Sequence, residues 1–196
     1  LTGDKETDGW KRQKNAYQMS YNMSLAEHKA FLLLKEIDAD AEIGPVCAIQ
    51  VVYPLTCGSG DVLAAWKAEE MMEFSYLDMS VQGEYSPYVA NFLRREGLFP
   101  DVYPEDNSIL KGSTPDFIGV NYYCSSCAAQ RSEAICYDGF PPWTAGEYLC
   151  CDNPHAQKTK WMTNIDPLGL QLGIRKIYVR YHLPVIVTEN GMANSE

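Results

Sequence analysis

Glu189 is the residue best placed to do chemistry. It closes the β-branched run Val185-Ile186-Val187-Thr188 and is followed at once by Asn190-Gly191. The run reads as a buried strand and the Asn-Gly pair as the start of a loop. A carboxylate is therefore delivered to the carboxyl end of a strand, and in parallel α/β folds chemistry sits at that end. Ionised, such a group serves as a nucleophile or a base; the plainer alternative is a solvated surface carboxylate. Other candidates are weaker. Cys124-Ser125-Ser126-Cys127 has CxxC spacing, which a metal or redox role would have to complete with a second ligand pair or a helix amino terminus. Cys136, Cys150 and Cys151 are near in sequence, but adjacent cysteines are poor joint ligands and no His stands at ligand spacing. Free thiols and no metal are the expectation. Gly58-Ser59-Gly60 lacks the Lys and the length of a phosphate loop and reads as a turn. His28, on the polar side of a helix, His155 in a loop and His182 near a helix end share no spacing.

The elements that must position Glu189 follow from periodicity. Met19, Met23, Ala26, Ala30, Leu33 and Ile37 mark the buried stripe of an amphipathic helix closed by residues 38–42. Residues 43–53 read as one strand, with Pro45 at its start because Pro cannot donate to a ladder. A second helix is expected from Asp61 as N-cap, with Ala65, Ala68, Met72, Tyr76 and Met79 inward; a further helical piece covers 88–95 and ends at Gly97. Pro104-Glu105-Asp106 looks like another helix opening. Residues 116–123 form the second strand, on which Asn121 and Tyr123 must share a face. Residues 124–160 show no period and read as one long loop, of the kind that is usually functional. Asp166-Pro167 opens a third helix, with Leu170, Ile174, Ile177 and Tyr181 inward, and Leu183-Pro184 leads into the strand that carries Glu189. The alternation of helix and strand gives an α/β class with parallel strands. Three such strands would leave two bare apolar edges, so neighbouring strands are expected beyond this sequence.

Composition narrows the partners. The 196 residues carry 16 Lys+Arg against 26 Asp+Glu, a net charge of −10. That balance argues against nucleic acid and anionic membrane surfaces, which demand cationic side chains. With 46% hydrophobic residues the chain can build a core. Seven cysteines, an odd number, suit a reducing cytoplasmic compartment better than a disulfide framework. No leader pattern and no membrane-length apolar run is present, and the sequence, lacking an initiator Met, is expected to be an excerpt of a longer protein.

Four segments carry a family likeness. Val187-Thr188-Glu189-Asn190-Gly191 resembles the nucleophile signature of glycoside hydrolase family 1, the β-glucosidase family. The stretch 116–123 resembles that family's sixth barrel strand, Tyr53-Pro54-Leu55-Thr56 the end of its fifth, and Asp166-Pro167-Leu168-Gly169-Leu170 the helix before its seventh. All four stand in the family's order and span nearly the whole chain. The resemblance implies a (β/α)8 TIM barrel, of which residues 1–196 would be one partial catalytic domain holding about strands five to seven. It implies retaining β-glycoside hydrolysis without metal or cofactor. Glu189 would be the nucleophile, Tyr123 its hydrogen-bond partner and Asn121 a residue lining the sugar. Trp161 reads either as an aromatic face for a sugar subsite or as simple loop packing. The family's acid/base Glu lies in a Thr-x-Asn-Glu-Pro stretch; no Asn-Glu precedes a Pro here. That residue is expected upstream of Leu1, the isolated chain is expected to be inactive, and a phosphate loop is expected beyond Glu196. Asn153-Pro154-His155, Lys158, Trp161 and Ile165-Asp166-Pro167 look like the family's 6-phospho-β-glucosidase branch, which implies phosphorylated β-glucosides such as cellobiose-phosphate or aryl glucoside-phosphates as substrates. Met162-Thr163 departs from the family's usual Gly-Trp. A plain β-glucosidase or β-galactosidase, and a non-catalytic sugar-binding product, are the other readings.

Overall fold

A computed structural model of the chain describes residues 6–130, 148–160 and 163–192. The helices are α1 (Gly9–Ile37), α2 (Ser59–Glu69), α3 (Ser75–Gln82), α4 (Pro87–Arg95), α5 (Asp106–Leu110) and α6 (Pro167–Tyr181), with a π-helical segment, Glu70–Phe74, joining α2 to α3. The strands are β1 (Val46–Ile49), β2 (Val52–Pro54), β3 (Ile118–Tyr122), β4 (Ser126–Ala129), β5 (Leu149–Cys151), β6 (Gln157–Lys158), β7 (Asn164–Ile165) and β8 (Val185–Asn190). They fall into two compact units, Leu1–Pro45 with Phe74–Phe117 and Val46–Glu73 with Ile118–Glu196.

The first unit is helical. Asp8 caps α1 by accepting from the N–H groups of Trp10 and Lys11, both at 3.0 Å. The apolar stripe expected to face inward faces out: Met23 is 65% exposed, Leu33 56% and Ile37 75%. The buried face is instead Tyr21, Ser24, His28 and Phe31, where Tyr21 and His28 find polar partners. Tyr21 donates to Asp106 Oδ2 at 3.0 Å. His28, expected on the polar side, is fully buried, its Nδ1 2.8 Å from Ser113 Oγ and its Nε2 2.9 Å from the Met79 carbonyl. Such pairing is what makes a buried imidazole tolerable.

The second unit holds the parallel sheet β1-β3-β8, a second sheet β2-β4-β5 and the pair β6-β7. Residues 43–53 do not form one strand. At Gln50 and Val52 the backbone N–H groups turn away from the first sheet and donate to carboxylates, Gln50 to Glu73 and Val52 to Glu69 at 3.2 Å. The chain thereby leaves the first sheet after β1 and joins the second as β2, with Val52–Pro54 running parallel to Ser126–Ala128. The loop expected over 124–160 accordingly contains β4, β5 and β6 among its described residues.

These carboxylates stand where α2 passes into the π-helical segment, Glu69 as the last residue of α2 and Glu73 within the segment. One added residue per turn re-aims the helix face, so Met72, expected inward, is 37% exposed while Glu69, Glu70 and Glu73 are buried. Lys176 of α6 pairs with Glu69 at 2.5 Å, and Arg180 grips Glu70 with two bonds of 2.6 and 3.2 Å. Nor is Asp61 the N-cap of α2, which begins at Ser59. It is a buried acceptor for Thr56 Oγ1 at 2.6 Å, Thr56 N at 3.1 Å and Gln130 N at 2.9 Å, and these bonds, Thr56 foremost, hold its carboxyl below the usual range.

Helix α6 is capped as expected, Asp166 Oδ1 accepting from Gly169 N at 2.9 Å. Its buried face comprises Gly169, Gly173, Ile177 and Tyr181, with Leu170 and Ile174 only half-buried. A Cβ on Gly173 would lie 2.8 Å from Ile49 Cδ1, so glycine, not a branched side chain, occupies the line where helix meets strand. Strand β8, expected to be buried, is the sheet's edge: among the described residues only β3 pairs with it, leaving Ile186 47% and Val187 42% exposed.

Glu73 gives a pH test of this packing. Burial pushes its carboxyl up from 4.5 to about 8, against the opposing pull of the Gln50 N–H. Between those values the folded chain keeps a proton that the unfolded chain has released, so Glu73 makes stability fall as pH rises from about 4.5 to 8. Glu73→Gln retains an acceptor for Gln50 and cannot ionise. At pH 8 it should be more stable than the parent by on the order of 2 kcal/mol, with the gap closing toward pH 5, in denaturant melts across pH. A gap independent of pH would contradict this assignment.

Candidate active site

β1, β3 and β8 run parallel and end level, Ile49 beside Tyr122 and Tyr122 beside Asn190. All three carboxyl ends lie at one edge of the sheet. Between β3 and β8 the register shifts: Val120 pairs with Val187, but Asn121 pairs with Glu189, so Thr188 is an extra residue in the ladder. The Thr188 hydroxyl lies 3.2 Å from the Val120 carbonyl and 2.5 Å from Asn121 Oδ1, with its hydrogen available to these acceptors. Asn190 Nδ2 donates to the Tyr122 carbonyl at 2.7 Å just beyond.

This bulge decides where Glu189 points. In an unbroken register Glu189 would lie beside Tyr122 and share its face. Shifted by one, it lies beside Asn121 and shares the face of Asn121 and Tyr123. The Tyr123 hydroxyl donates to Glu189 Oε2. That bond, ahead of the lesser effect of burial, raises the Tyr123 hydroxyl above its usual pKa. Asn121 is half-buried, Tyr123 is 47% exposed and Glu189 is exposed. Three of the four site residues expected from sequence thus come together; Trp161 lies outside the described residues.

Sequence reasoning missed a second arrangement on the neighbouring face. Asp166 does more than cap α6. Its Oδ2 accepts from the Tyr53 hydroxyl at 2.8 Å, and its carbonyl accepts from the Tyr122 hydroxyl at 2.9 Å. Burial first, then the carboxylate, raises both tyrosine hydroxyls above their usual range. A Cβ on Gly169 would lie 2.1 Å from the Tyr122 hydroxyl oxygen, so this knot requires glycine at the first turn of the helix. The Asp-Pro opening was a legible cap signal, but nothing in the spacing of Tyr53 and Tyr122 announces a shared partner. A cleft of about 320 Å³ lies along this edge, lined by Tyr122, Tyr123, Asp166, Leu170, Asn190 and Met192 among others. A second, of about 350 Å³, is bordered by Tyr53, Cys127, Asn153, His155, Asp166 and Leu168 among others.

The CxxC pair has no catalytic setting. Cys124 accepts from Gln50 Nε2 at 3.5 Å, Cys127 is buried, and burial raises both thiols, opposite to what a reactive thiolate needs. Among the described residues no group of three or more His, Cys, Asp or Glu is placed to hold a metal ion. What the sheet edge offers is an exposed carboxylate held by a phenolic donor. That arrangement suits a nucleophile with one oxygen held by a donor and the other open to a substrate. The Tyr123–Glu189 bond should be visible in titration. Glu189→Gln should bring one tyrosine hydroxyl down toward 10, followed by tyrosinate absorbance or ring NMR; an unchanged tyrosine titration would show that the bond is not formed in solution.

Residues 3–196 match the profile of Glycosyl hydrolase family 1. The aryl-phospho-beta-D-glucosidase BglC of Bacillus subtilis (strain 168) is 33% identical over 195 residues, which cover 94% of this chain and 41% of that protein. The 6-phospho-beta-glucosidase AscB of Escherichia coli (strain K12) is 30% identical over 185 residues, covering 94% of this chain and 38% of that one. The chain thus spans about two fifths of the length of these relatives. A family 1 β-glucosidase from Thermotoga maritima superposes with a TM-score of 0.77 at 23% identity, over 93% of this chain and 38% of its own. The parallel strands and their helices are therefore part of a (β/α)8 barrel, and the chain belongs to glycosyl hydrolase family 1.

Proposed function

We propose that the chain supplies the nucleophile side of a retaining 6-phospho-β-glucosidase site. The observation that carries this reading is the hydrogen bond from Tyr123 to Glu189 at the carboxyl edge of the parallel sheet. Glu189 attacks the anomeric carbon and forms a glycosyl-enzyme, while the Tyr123 hydroxyl holds its second oxygen in place. Asn121, beside Glu189 on the same face, binds the sugar, and Trp161 is assigned by sequence to a sugar subsite. A second carboxylate roughly 5 Å away protonates the leaving oxygen and then deprotonates water. No Asn-Glu precedes a Pro in these 196 residues, so that group is assigned to sequence outside them, and residues 1–196 act as one part of a single barrel domain. The names of BglC and AscB support a phosphorylated glucoside as substrate. The odd number of cysteines, seven, suits a cytoplasmic enzyme. Among the described residues no helix is long and apolar enough to cross a membrane.

Kinetics test the roles. The 196-residue chain alone should not hydrolyse nitrophenyl β-glucoside 6-phosphate; turnover by the purified chain would contradict the assignment of the acid/base outside it. In a full-length protein carrying this sequence, Glu189→Gln should lower kcat by roughly 10³-fold or more, about 4 kcal/mol. Tyr123→Phe should lower it about 10- to 100-fold, the worth of one hydrogen bond to a charged group. Wild-type kcat/KM should favour the 6-phosphate over the plain glucoside; the reverse order would reassign the substrate.

A further inference from the structure

The cysteines left idle by this chemistry are not scattered at random. β4 and β5 pair antiparallel with Cys127 directly opposite Cys151, Ala128 opposite Cys150 and Ala129 opposite Leu149. Directly opposed residues of an antiparallel pair have Cα atoms about 4.5 to 5.5 Å apart and side chains on one face. That is inside the 4.4 to 6.8 Å span of disulfides. Cys150, one position along, points to the other face, where its Sγ lies 3.7 Å from Met72 Sδ. Cys124 lies before β4 and accepts from Gln50 Nε2. Cys127 is 2% exposed but borders the 350 Å³ cleft, and Cys151 is half-buried. The geometry points to Cys127 and Cys151 as a cross-strand dithiol that forms a disulfide on exposure to a small-molecule disulfide such as oxidised glutathione.

The step balances. The more accessible Cys151 thiolate attacks one sulfur of the reagent, forming a mixed disulfide and releasing one glutathione thiol. Cys127 Sγ then attacks Cys151 Sγ and displaces the second. Two protein S–H bonds and one reagent S–S bond are lost, and one protein S–S bond and two glutathione thiols are formed. Two electrons pass to the reagent. Burial, and after it the neighbouring Cys151, pushes the Cys127 thiol up to about 11. The second step is therefore slow near neutrality and quickens about tenfold per pH unit up to that value. The bond would clamp β5 to β4, and β4 carries β2, whose Tyr53 donates to Asp166 at the start of α6. In a reducing compartment such a bond is a response to oxidation and not a permanent staple.

The test uses the 196-residue chain and does not depend on glycosidase activity. After incubation with oxidised glutathione at pH 8.5, blocked and digested without reductant, peptide mapping should find Cys127 linked to Cys151. Closing the loop between them should raise Tm by roughly 5 °C or more, reversed by dithiothreitol. Cys150→Ser should form the same link, and Cys151→Ser should lose it. If Cys151→Ser does not fold, the link mapped in Cys150→Ser decides the pairing alone. Mixed disulfides only, a vicinal Cys150–Cys151 link, a Cys124–Cys127 link or any pairing through Cys136 would overturn the proposal.

Discussion

A single extra residue in β8 sets the direction of Glu189, and the candidate site depends on it. Strand side chains alternate, so an unbroken ladder would turn Glu189 to the face of Tyr122 and Asp166. Thr188, with Val120 and Asn121 as its acceptors, takes up the extra residue, and Glu189 returns to the face of Asn121 and Tyr123. The Tyr123 bond is a consequence of that register, not an independent feature. The opposite face is fixed separately, by Asp166 receiving Tyr53, Tyr122 and Gly169. Consecutive residues of β3 and its extension, Tyr122 and Tyr123, thus serve two jobs on two sides of one strand.

A similar logic operates between α2, β1 and α6. The end of α2 and the π-helical segment that follows it turn Glu69, Glu70 and Glu73 inward, and each meets a partner that would otherwise go unsatisfied. Glu69 and Glu73 accept backbone N–H groups at the point where the chain leaves one sheet for the other. Glu69 and Glu70 take the cations of Lys176 and Arg180. Buried carboxylates are costly without such partners. Their use here is to end β1 cleanly, so that Ile49 stops level with Tyr122 and Asn190.

What could be read from the residues was local. The β-branched run before Glu189, the shared face of Asn121 and Tyr123, and the Asp166-Pro167 opening of α6 each follow from spacing of a few residues, and each is present. What could not be read depends on partners distant in sequence. The break in residues 43–53 comes from glutamates on a helix, and the bulge at Thr188 from a neighbouring strand. β4 is built of Ser-Cys-Ala-Ala, which carries no branched or aromatic signal. The stripe Met23, Leu33, Ile37 is periodic but outward, because Tyr21 and His28 outcompete it with polar partners on their own side. Hydrophobic period identifies a helix more securely than it identifies which face is buried.

The proposed role of Glu189 is to bond to the anomeric carbon through a carboxylate oxygen. A 2-deoxy-2-fluoro-β-glucoside 6-phosphate with a good leaving group forms a glycosyl-enzyme that hydrolyses slowly, so the adduct survives proteolysis and sequencing by mass spectrometry. In a full-length protein carrying this sequence, the sugar should be found as an ester on Glu189 at one per chain, and Glu189→Gln should take up none. An adduct on any other residue, or undiminished labelling of the variant, would contradict the account.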